Sequence, residues 1–207
     1  METNVVYEKI AIDFDRTRYK MWPSVKKFMD KIPKNNLVID LGCGNGKNMI
    51  NYSELEFIAI DNCTEFLKIV NKKNKKNIKT IQGDIRKIPL EDNISNYLVC
   101  VAVFHHLYKK DDRIKCLNEI QRVVKTNGQI LITLWAMEQP NSKRNKFSKQ
   151  DNMVPWHNRT DCIIYHRYYR IWYENDFEEY ICNTSLKIKE KFYENGNWIY
   201  YLVNCKN

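Results

Sequence analysis

The stretch VIDLGCGNGKN, residues 38–48, constrains this chain more than any other. An apolar run ends in an acid, Asp40, two residues before Gly42, and Gly44 and Gly46 follow at alternate positions. A short apolar run closed by glycine reads as a buried strand. Glycine at these positions allows a tight turn and lets the backbone approach a ligand closely. Dinucleotide folds use G-x-G-x-x-G, which brings a helix N-terminus onto a pyrophosphate. The alternate spacing departs from that pattern. It predicts a strand, an open glycine turn and a helix over residues 46–52.

Four further runs, EFIAID, NIKTIQGD, NYLVCVAV and GQILITLW, repeat the strand pattern. Helices are predicted between them over 64–73 and 112–125, the second from Ile114, Leu117, Ile120, Val123 and Val124 at helical spacing. Such alternation argues a parallel sheet covered on both faces. A helix over 5–14 and another from Pro23 to about residue 31 precede it, since proline is tolerated in a first turn. Near the C-terminus, a helix over 174–182 leads into two alternating strands about Asn195-Gly196, a hairpin signal. The expected fold is α/β and Rossmann-like: a seven-stranded sheet, mostly parallel with a C-terminal antiparallel hairpin, and helices on both faces. One domain over 1–207 is expected, with an N-terminal helical and substrate segment (1–36), a ligand-binding core (37–134), substrate-facing loops (135–172) and a C-terminal helix and hairpin (173–207). The loops are the unusual part. The polar run 138–170 shows no clean period, and structureless connections beyond about 12–15 residues are uncommon unless functional or disordered. Phe147, Val154 and Trp156 are poor material for disorder.

The chain's 207 residues suit one domain with a substantial core. No apolar run reaches the roughly 18 residues that cross a bilayer, and the N-terminus lacks a signal-like apolar core. A soluble protein with no membrane partner is expected, cytoplasmic, with the nucleus as second choice. None of the seven Cys falls in a C-x-x-C pair, so they read as small apolar fillers rather than zinc ligands or disulfides. The net charge of +9 suggests a polyanionic partner. A run such as NKKNKKN (71–77) also fits nucleotide-composition bias on a solvated surface, and charge alone leaves both readings open.

Acids stand at three successive strand ends: Asp40, Asp61 and Asp84. One would read as a helix cap; three with this glycine loop mark a ligand site at the carboxyl ends of the sheet. After the fourth strand comes VAVFHHL, carrying His105 and His106, and then EIQRVVKTNGQILI. Over residues 37–134 these features resemble the class I S-adenosylmethionine-dependent methyltransferases. The resemblance implies that S-adenosylmethionine is held by Asp40, Gly42, Cys43, Gly44, Gly46, Asp61, Asn62, Asp84, Ile85 and Val103, with S-adenosylhomocysteine as product. Asp40 would serve the methionine ammonium, Asp61 the ribose, and Asp84 with Ile85 the adenine. His105 would face the acceptor, and His106 is read as structural. The D/N-P-P-Y/F signature of amino-group methylation is absent.

Outside that core, FDRTRYKMWP, LWAMEQPNSKRNKF, KQDNMVPWH and YHRYYRIW are polar yet aromatic. Together they resemble the eukaryotic tRNA wobble-uridine carboxymethyl methyltransferases, including the domain fused to an AlkB-type hydroxylase, over nearly the whole chain. The resemblance implies methyl transfer to the carboxylate of 5-carboxymethyluridine at tRNA position 34, giving 5-methoxycarbonylmethyluridine. It assigns Arg18, His105, Trp135, His157 and Arg167 to the carboxylate and uridine, and Tyr19, Lys20, Trp156 and Tyr168 to substrate contact. For Arg18 and Arg167 the duller alternative is a surface or cap residue. Trp22 and Trp172 read as packing, and Lys143, Arg144 and Lys146 as phosphate contacts or a solvated face. The expected partners are the tRNA anticodon stem-loop and a small zinc-binding activator, which would form a heterodimer by adding to the sheet edge at Ile78–Gln82. Two departures, Phe104 before the His pair and Thr126-Asn127-Gly128 for Pro-Gly-Gly, preserve shape. A methyltransferase for a lipid or quinone precursor would need an apolar lid, and a non-catalytic adaptor would have lost the acids or glycines.

Overall fold

The computed structural model describes residues 3–141 and 146–206. Two helices, α1 (Thr3–Thr17) and α2 (Pro23–Met29), precede strand β1 (Leu37–Leu41). Then follow β2 (Glu56–Asp61), α3 (Thr64–Lys72), β3 (Ile78–Gln82), β4 (Ser95–Val101), α4 (Lys110–Val123) and β5 (Val124–Trp135). A short 3-10 turn, Phe104–His106, sits between β4 and α4. Beyond β5 lie β6 (Asp151–His157), β7 (Ile164–Arg170), α5 (Glu178–Ile181), β8 (Leu186–Glu194) and β9 (Asn197–Asn204).

Seven strands form one sheet in the order β3-β2-β1-β4-β5-β9-β8. The first five are parallel, and β9 and β8 close it antiparallel, as the sequence pattern predicts. Alternate residues of each strand feed opposite cores. Ile39, Leu41, Leu98 and Cys100 meet Leu117 and Ile120 of α4 on one face. Val38, Phe57, Ala59 and Val99 meet Val25, Phe28 and Met29 of α2 on the other. Asn195 and Gly196 take φ of 46° and 83°, the backbone that a two-residue hairpin needs. The chain runs outward from β1 to β3 and then back across to β4. The carboxyl ends of β1 and β4 therefore flank the topological switch point, where open α/β sheets bind ligands.

Several expectations need correction. Residues 46–52 form successive turns rather than a helix, with Met49 N–H bonded to Gly46 O (3.1 Å) and Tyr52 N–H to Met49 O (3.0 Å). Asn77 donates to the carbonyls of Tyr52 and Leu55 (2.9 and 2.7 Å), so side-chain bonds replace a helical ladder. The predicted helix 112–125 ends at Val123 because Val124 already pairs with Ser95. The predicted helix 174–182 shrinks to Glu178–Ile181, since Asp176 ties back to Tyr173 N–H (3.1 Å).

The largest correction concerns 135–172, which is no set of loops. β6 and β7 form an antiparallel ribbon of their own, paired from Asp151↔Arg170 to His157↔Ile164. The excursion begins and ends beside itself, for Trp172 N–H bonds Trp135 O (2.9 Å) and Met137 N–H bonds Trp172 O (2.8 Å). Ordinary hydropathy hides these strands, because the inward positions of β7 are Arg167 and Tyr169.

Helix α1 is fastened to α3 by Glu8. Its carboxylate accepts from the backbone N–H groups of Thr64 (2.6 Å) and Glu65 (3.2 Å), which α3's own N-cap residue, Cys63, leaves uncapped by any side chain. Glu8→Ala should therefore cost roughly 1 kcal/mol, the usual worth of a helix cap. Urea denaturation would show this as a lower midpoint at unchanged slope. An unaltered midpoint would mean that solvent caps α3 equally well.

Candidate active site

At the carboxyl end of β1 the glycine turn folds over β2: Gly42 N–H and Cys43 N–H both bond Ile60 O (2.7 and 3.0 Å). Gly42 has φ +74°, and a Cβ there would lie 2.3 Å from Val103, so the turn and Val103 are tightly packed. A Cβ on Gly44 would meet only Phe14, at 4.0 Å. Gly44 therefore presents bare backbone to open space, as a ligand cradle requires. Asp61 closes the cradle: Oδ2 accepts from Gly44 N–H (2.8 Å) and Oδ1 from Cys63 N–H (2.9 Å). Asn62 is exposed next to it. The Cys43 thiol is buried and pushed far up by that burial, which makes it filler rather than a reactive contact.

Asp40 is the most telling group. It is fully buried, and neither carboxylate oxygen has a hydrogen-bond partner of ordinary geometry among the described residues. Burial raises its carboxyl to about 7, the Asp61 charge adds to the rise, and Lys47 opposes it. Burial also raises Asp61, to about 6, against the pull of its backbone donors. Buried acids without partners are costly, and a cationic ligand group would relieve the cost. The donor set thus fits the ammonium of an amino acid-bearing cofactor. Asp84 does not stand ready for adenine. Its carboxylate is engaged by the Arg86 Nε (2.9 and 3.0 Å), and Arg86 holds its pKa down. Ile85 packs half-buried against the core.

Beyond the glycine turn opens a cavity of about 680 Å³ between α1, Ala102 at the end of β4, Trp135 at the end of β5, and the inner side of the ribbon. Among the described residues its cations are Arg18, Lys47, Arg159 and Arg167, and no Asp or Glu lines it. Among the described residues, none of these four forms an ion pair. Arg167 is 5% exposed, donates to Tyr7 Oη (3.3 Å), and among the described residues leaves its Nε without a partner. Burial and the nearby Arg167 charge lower the affinity of Arg18 for its proton. Burial and Arg18 do the same to Lys47.

Trp156 supports these cations rather than stacking a base. Its N–H donates to buried Asp13 (3.0 Å), its ring stacks on Phe14 (5.6 Å, 30°), and Arg18 and Arg167 lie 5.1 and 4.8 Å from its centre. His157 cannot share its orientation, because successive strand residues face opposite ways. It pairs with Ile164 on the outer face and reaches only the cavity rim. The same alternation corrects Tyr168. Its hydroxyl bonds Asp151 and its ring meets Tyr108 on the outer side, while Tyr169 faces inward and stacks on Trp135 (4.3 Å, 26°). His105 lies outside the cavity lining and is fully buried beneath that stack, 4.8 Å from Tyr169. Burial pushes it well below its usual pKa, so it offers a neutral imidazole, whose Nε2 has no partner among the described residues. His106 is structural: Nε2 meets Tyr7 Oη (2.9 Å) and Nδ1 meets Tyr168 O (2.8 Å). Tyr19 is 67% exposed with Lys20 beside it, and neither lines the cavity. Trp22 lines it, whereas Trp172 is buried packing. Lys146 donates to Pro140 O (3.0 Å); Lys143 and Arg144 lie outside the described residues. Tyr7, Asp13, Lys47, Arg159 and Tyr169 are members that sequence reasoning missed.

The Asp40 carboxyl yields a pH dependence. Its folded pKa, about 7, stands above the ordinary carboxylate value near 4. The ligand-free protein therefore loses stability from this group as pH rises from about 4 through 7. A ligand ammonium prefers the ionised form, so its affinity should rise with pH until about 7 and then level off. Calorimetric titration with S-adenosylmethionine from pH 5.5 to 8.5 would show this, and Asp40→Asn should flatten the curve and weaken binding. A flat wild-type curve removes Asp40 from the ammonium role.

The comparisons agree with this geometry. Residues 39–132 match the family model described as a methyltransferase domain. The chain is 31% identical, over 93% of its length and 92% of the relative's, to the tRNA (carboxymethyluridine(34)-5-O)-methyltransferase of Schizosaccharomyces pombe. It is 26% identical to the alkbh8 protein of Xenopus tropicalis that bears the same enzyme name, over 93% of the chain but 39% of that longer protein. A structure solved as a complex of the Haloferax volcanii Trm112 methyltransferase activator and a methyltransferase shares the fold, with TM-score 0.74, 14% identity and coverage of 99% and 98%. The cofactor is S-adenosylmethionine, and the cradle of Asp40, Gly44 and Asp61 suits it. The chain belongs to the family of tRNA (carboxymethyluridine(34)-5-O)-methyltransferases.

Proposed function

We propose that the chain methylates the carboxylate of 5-carboxymethyluridine at wobble position 34 of tRNA. The observation that carries this reading is the cavity lined by Arg18, Lys47, Arg159 and Arg167 with no Asp or Glu among its described lining residues. Arg167 is buried and, among the described residues, has no acidic partner; a buried cation left unpaired is costly, and an anionic acceptor would offset that cost. When bound, S-adenosylmethionine supplies an electrophilic methyl group on its sulfonium. A carboxylate with pKa near 4 is already ionised at neutral pH, so no residue needs to act as a strong base. This accords with the neutral, buried His105.

The residues' task is placement. Arg167 offers its guanidinium fork, which matches a carboxylate in two contacts where lysine would give a point charge. Tyr7 and the Trp156 and Tyr169 rings hold that fork in place. Arg18, more open, approaches from the end of α1. The Trp135–Tyr169 stack walls one side and excludes water there. Holding the acceptor in a near-attack geometry supplies much of a barrier reduction of this kind.

A small zinc-binding activator belongs to this reading. β3 is an edge strand of the sheet with part-exposed residues along its length, and such edges accept an added strand. The likeness to the methyltransferase of the Haloferax volcanii complex supports the same partner class.

Nucleoside mass spectrometry tests the activity. tRNA carrying 5-carboxymethyluridine, incubated with the chain, S-adenosylmethionine and a co-expressed activator, should yield the methyl ester. No ester with either chain or complex overturns the reading. Arg167→Lys should lower kcat/KM by about tenfold or more, with S-adenosylmethionine affinity unchanged by calorimetry.

A further inference from the structure

The ribbon has two faces, and the site uses one. Directly paired residues of an antiparallel ribbon point the same way, so the register assigns each side chain. Val154 and Arg167, Trp156 and Tyr165, and Asn152 and Tyr169 form the inner face. Met153 and Tyr168, Pro155 and His166, and His157 and Ile164 form the outer one. Most of that outer face is solvent-exposed, with only the Tyr168 end packed on the Tyr108 ring among the described residues. Met153 and Ile164 are 54% and 50% exposed, and Pro155, His157 and His166 are exposed beside them. Exposed apolar side chains gathered on one face point to a contact surface rather than to chance scatter.

Charge narrows the occupant. At this end of the ribbon Arg159, His157 and His166 make no side-chain hydrogen bond or ion pair among the described residues. The acids nearby are already engaged: Asp151 by the Tyr168 hydroxyl and Arg170, Asp161 by Ile163 N–H (2.9 Å) and the Tyr165 hydroxyl (2.7 Å). What is left is apolar and imidazole surface with the unopposed Arg159 guanidinium at its tip. That combination suits unstacked bases and their phosphates, because single-stranded RNA is read by stacking, including on histidine, and by cationic backbone contacts. Continuity fixes the place. Pro155, His157 and Arg159 belong both to this face or its tip and to the rim of the acceptor cavity, so a chain leaving the cavity at this rim runs onto the ribbon.

We propose that the outer face of β6–β7, built from Met153, Pro155, His157, Ile164 and His166 with Arg159 at its tip, docks the loop nucleotides that flank the methylated uridine. The proposal rests on the functional reading above and adds to it where the rest of the RNA loop lies. The ribbon then grips one loop on both faces, the target residue inside and its neighbours outside.

The probe is an anticodon stem-loop RNA carrying 5-carboxymethyluridine, with binding followed by fluorescence anisotropy against the full chain, with its activator if the active form needs one. Met153→Ser combined with Ile164→Ser, and separately His166→Ala, should each weaken RNA binding, the double variant by about tenfold. S-adenosylmethionine affinity and Tm should stay unchanged, which separates lost docking from misfolding. As a second measurement, 4-thiouridine placed beside the target should crosslink to peptides within residues 151–166. If the wild-type protein has no affinity for the stem-loop, the functional reading fails and the ribbon assignment with it. If wild type binds and both variants bind equally, or the crosslinks fall elsewhere, only the ribbon assignment fails. Loss of self-association or of activator binding in the variants, with RNA binding intact, would identify the face as a protein contact and overturn the proposal.

Discussion

One hydrogen bond ties the acceptor side of this protein together: the Trp156 indole N–H donated to Asp13, both residues buried. It joins the ribbon to α1 across the mouth of the cavity. A bond to a charged acceptor in such surroundings contributes about 1.5–3 kcal/mol, and losing either partner leaves the other stranded. On the same indole lean both Arg18 and Arg167. Their spacing, and so the site's capacity for an anion, depends on where this ring is held. α1 in turn is fixed by Glu8 to α3, by Tyr7 to His106, and by Asp15 to Asn45 in the glycine loop. The helix is therefore the brace between the cofactor cradle and the ribbon.

The sheet was legible from the sequence because its signals are local. Apolar runs ending in Gly or Asp, helical spacing in α4, and Asn195-Gly196 each report on their own few residues. The glycine turn and Asp40 were legible for the same reason. Elements that depend on distant partners were not. The cap of α3 comes from Glu8, and the turns over 46–52 are held by Asn77, which no window around them contains. The ribbon failed for a different reason. Its period-2 pattern exists, but the buried positions are occupied by Arg167 and Tyr169, which hydropathy counts as outward-facing. Without that pairing, the face of each residue could not be assigned. Adjacent residues were credited with one role: Trp156 with His157, and Tyr168 in place of Tyr169. A one-residue error in a strand changes the face.

The chemistry divides along the same line. Acids collect at the cofactor end, where Asp40 and Asp61 sit at the carboxyl ends of β1 and β2. Cations collect at the acceptor end. Lys47 stands between them, immediately after the glycine turn, drawn by Asp40 and repelled by Arg18. The site is thus polarised along its length, with a negative pole suited to an ammonium and a positive pole suited to a carboxylate. The net charge of +9 is a weaker guide than this arrangement, since in the run 71–77 Lys72, Lys75 and Lys76 are exposed and Lys73 is tied to Asn45 O and Asp15.

The excursion between Trp135 and Trp172 leaves the sheet and returns to the same place, its two ends hydrogen-bonded to each other. Whatever is threaded between those anchors leaves the register of β5 with β4 and β9 undisturbed. Selection can therefore lengthen, shorten or replace the acceptor wall as a cassette while the donor half of the enzyme stays constant. One sheet can in this way serve many acceptors, each with its own insert.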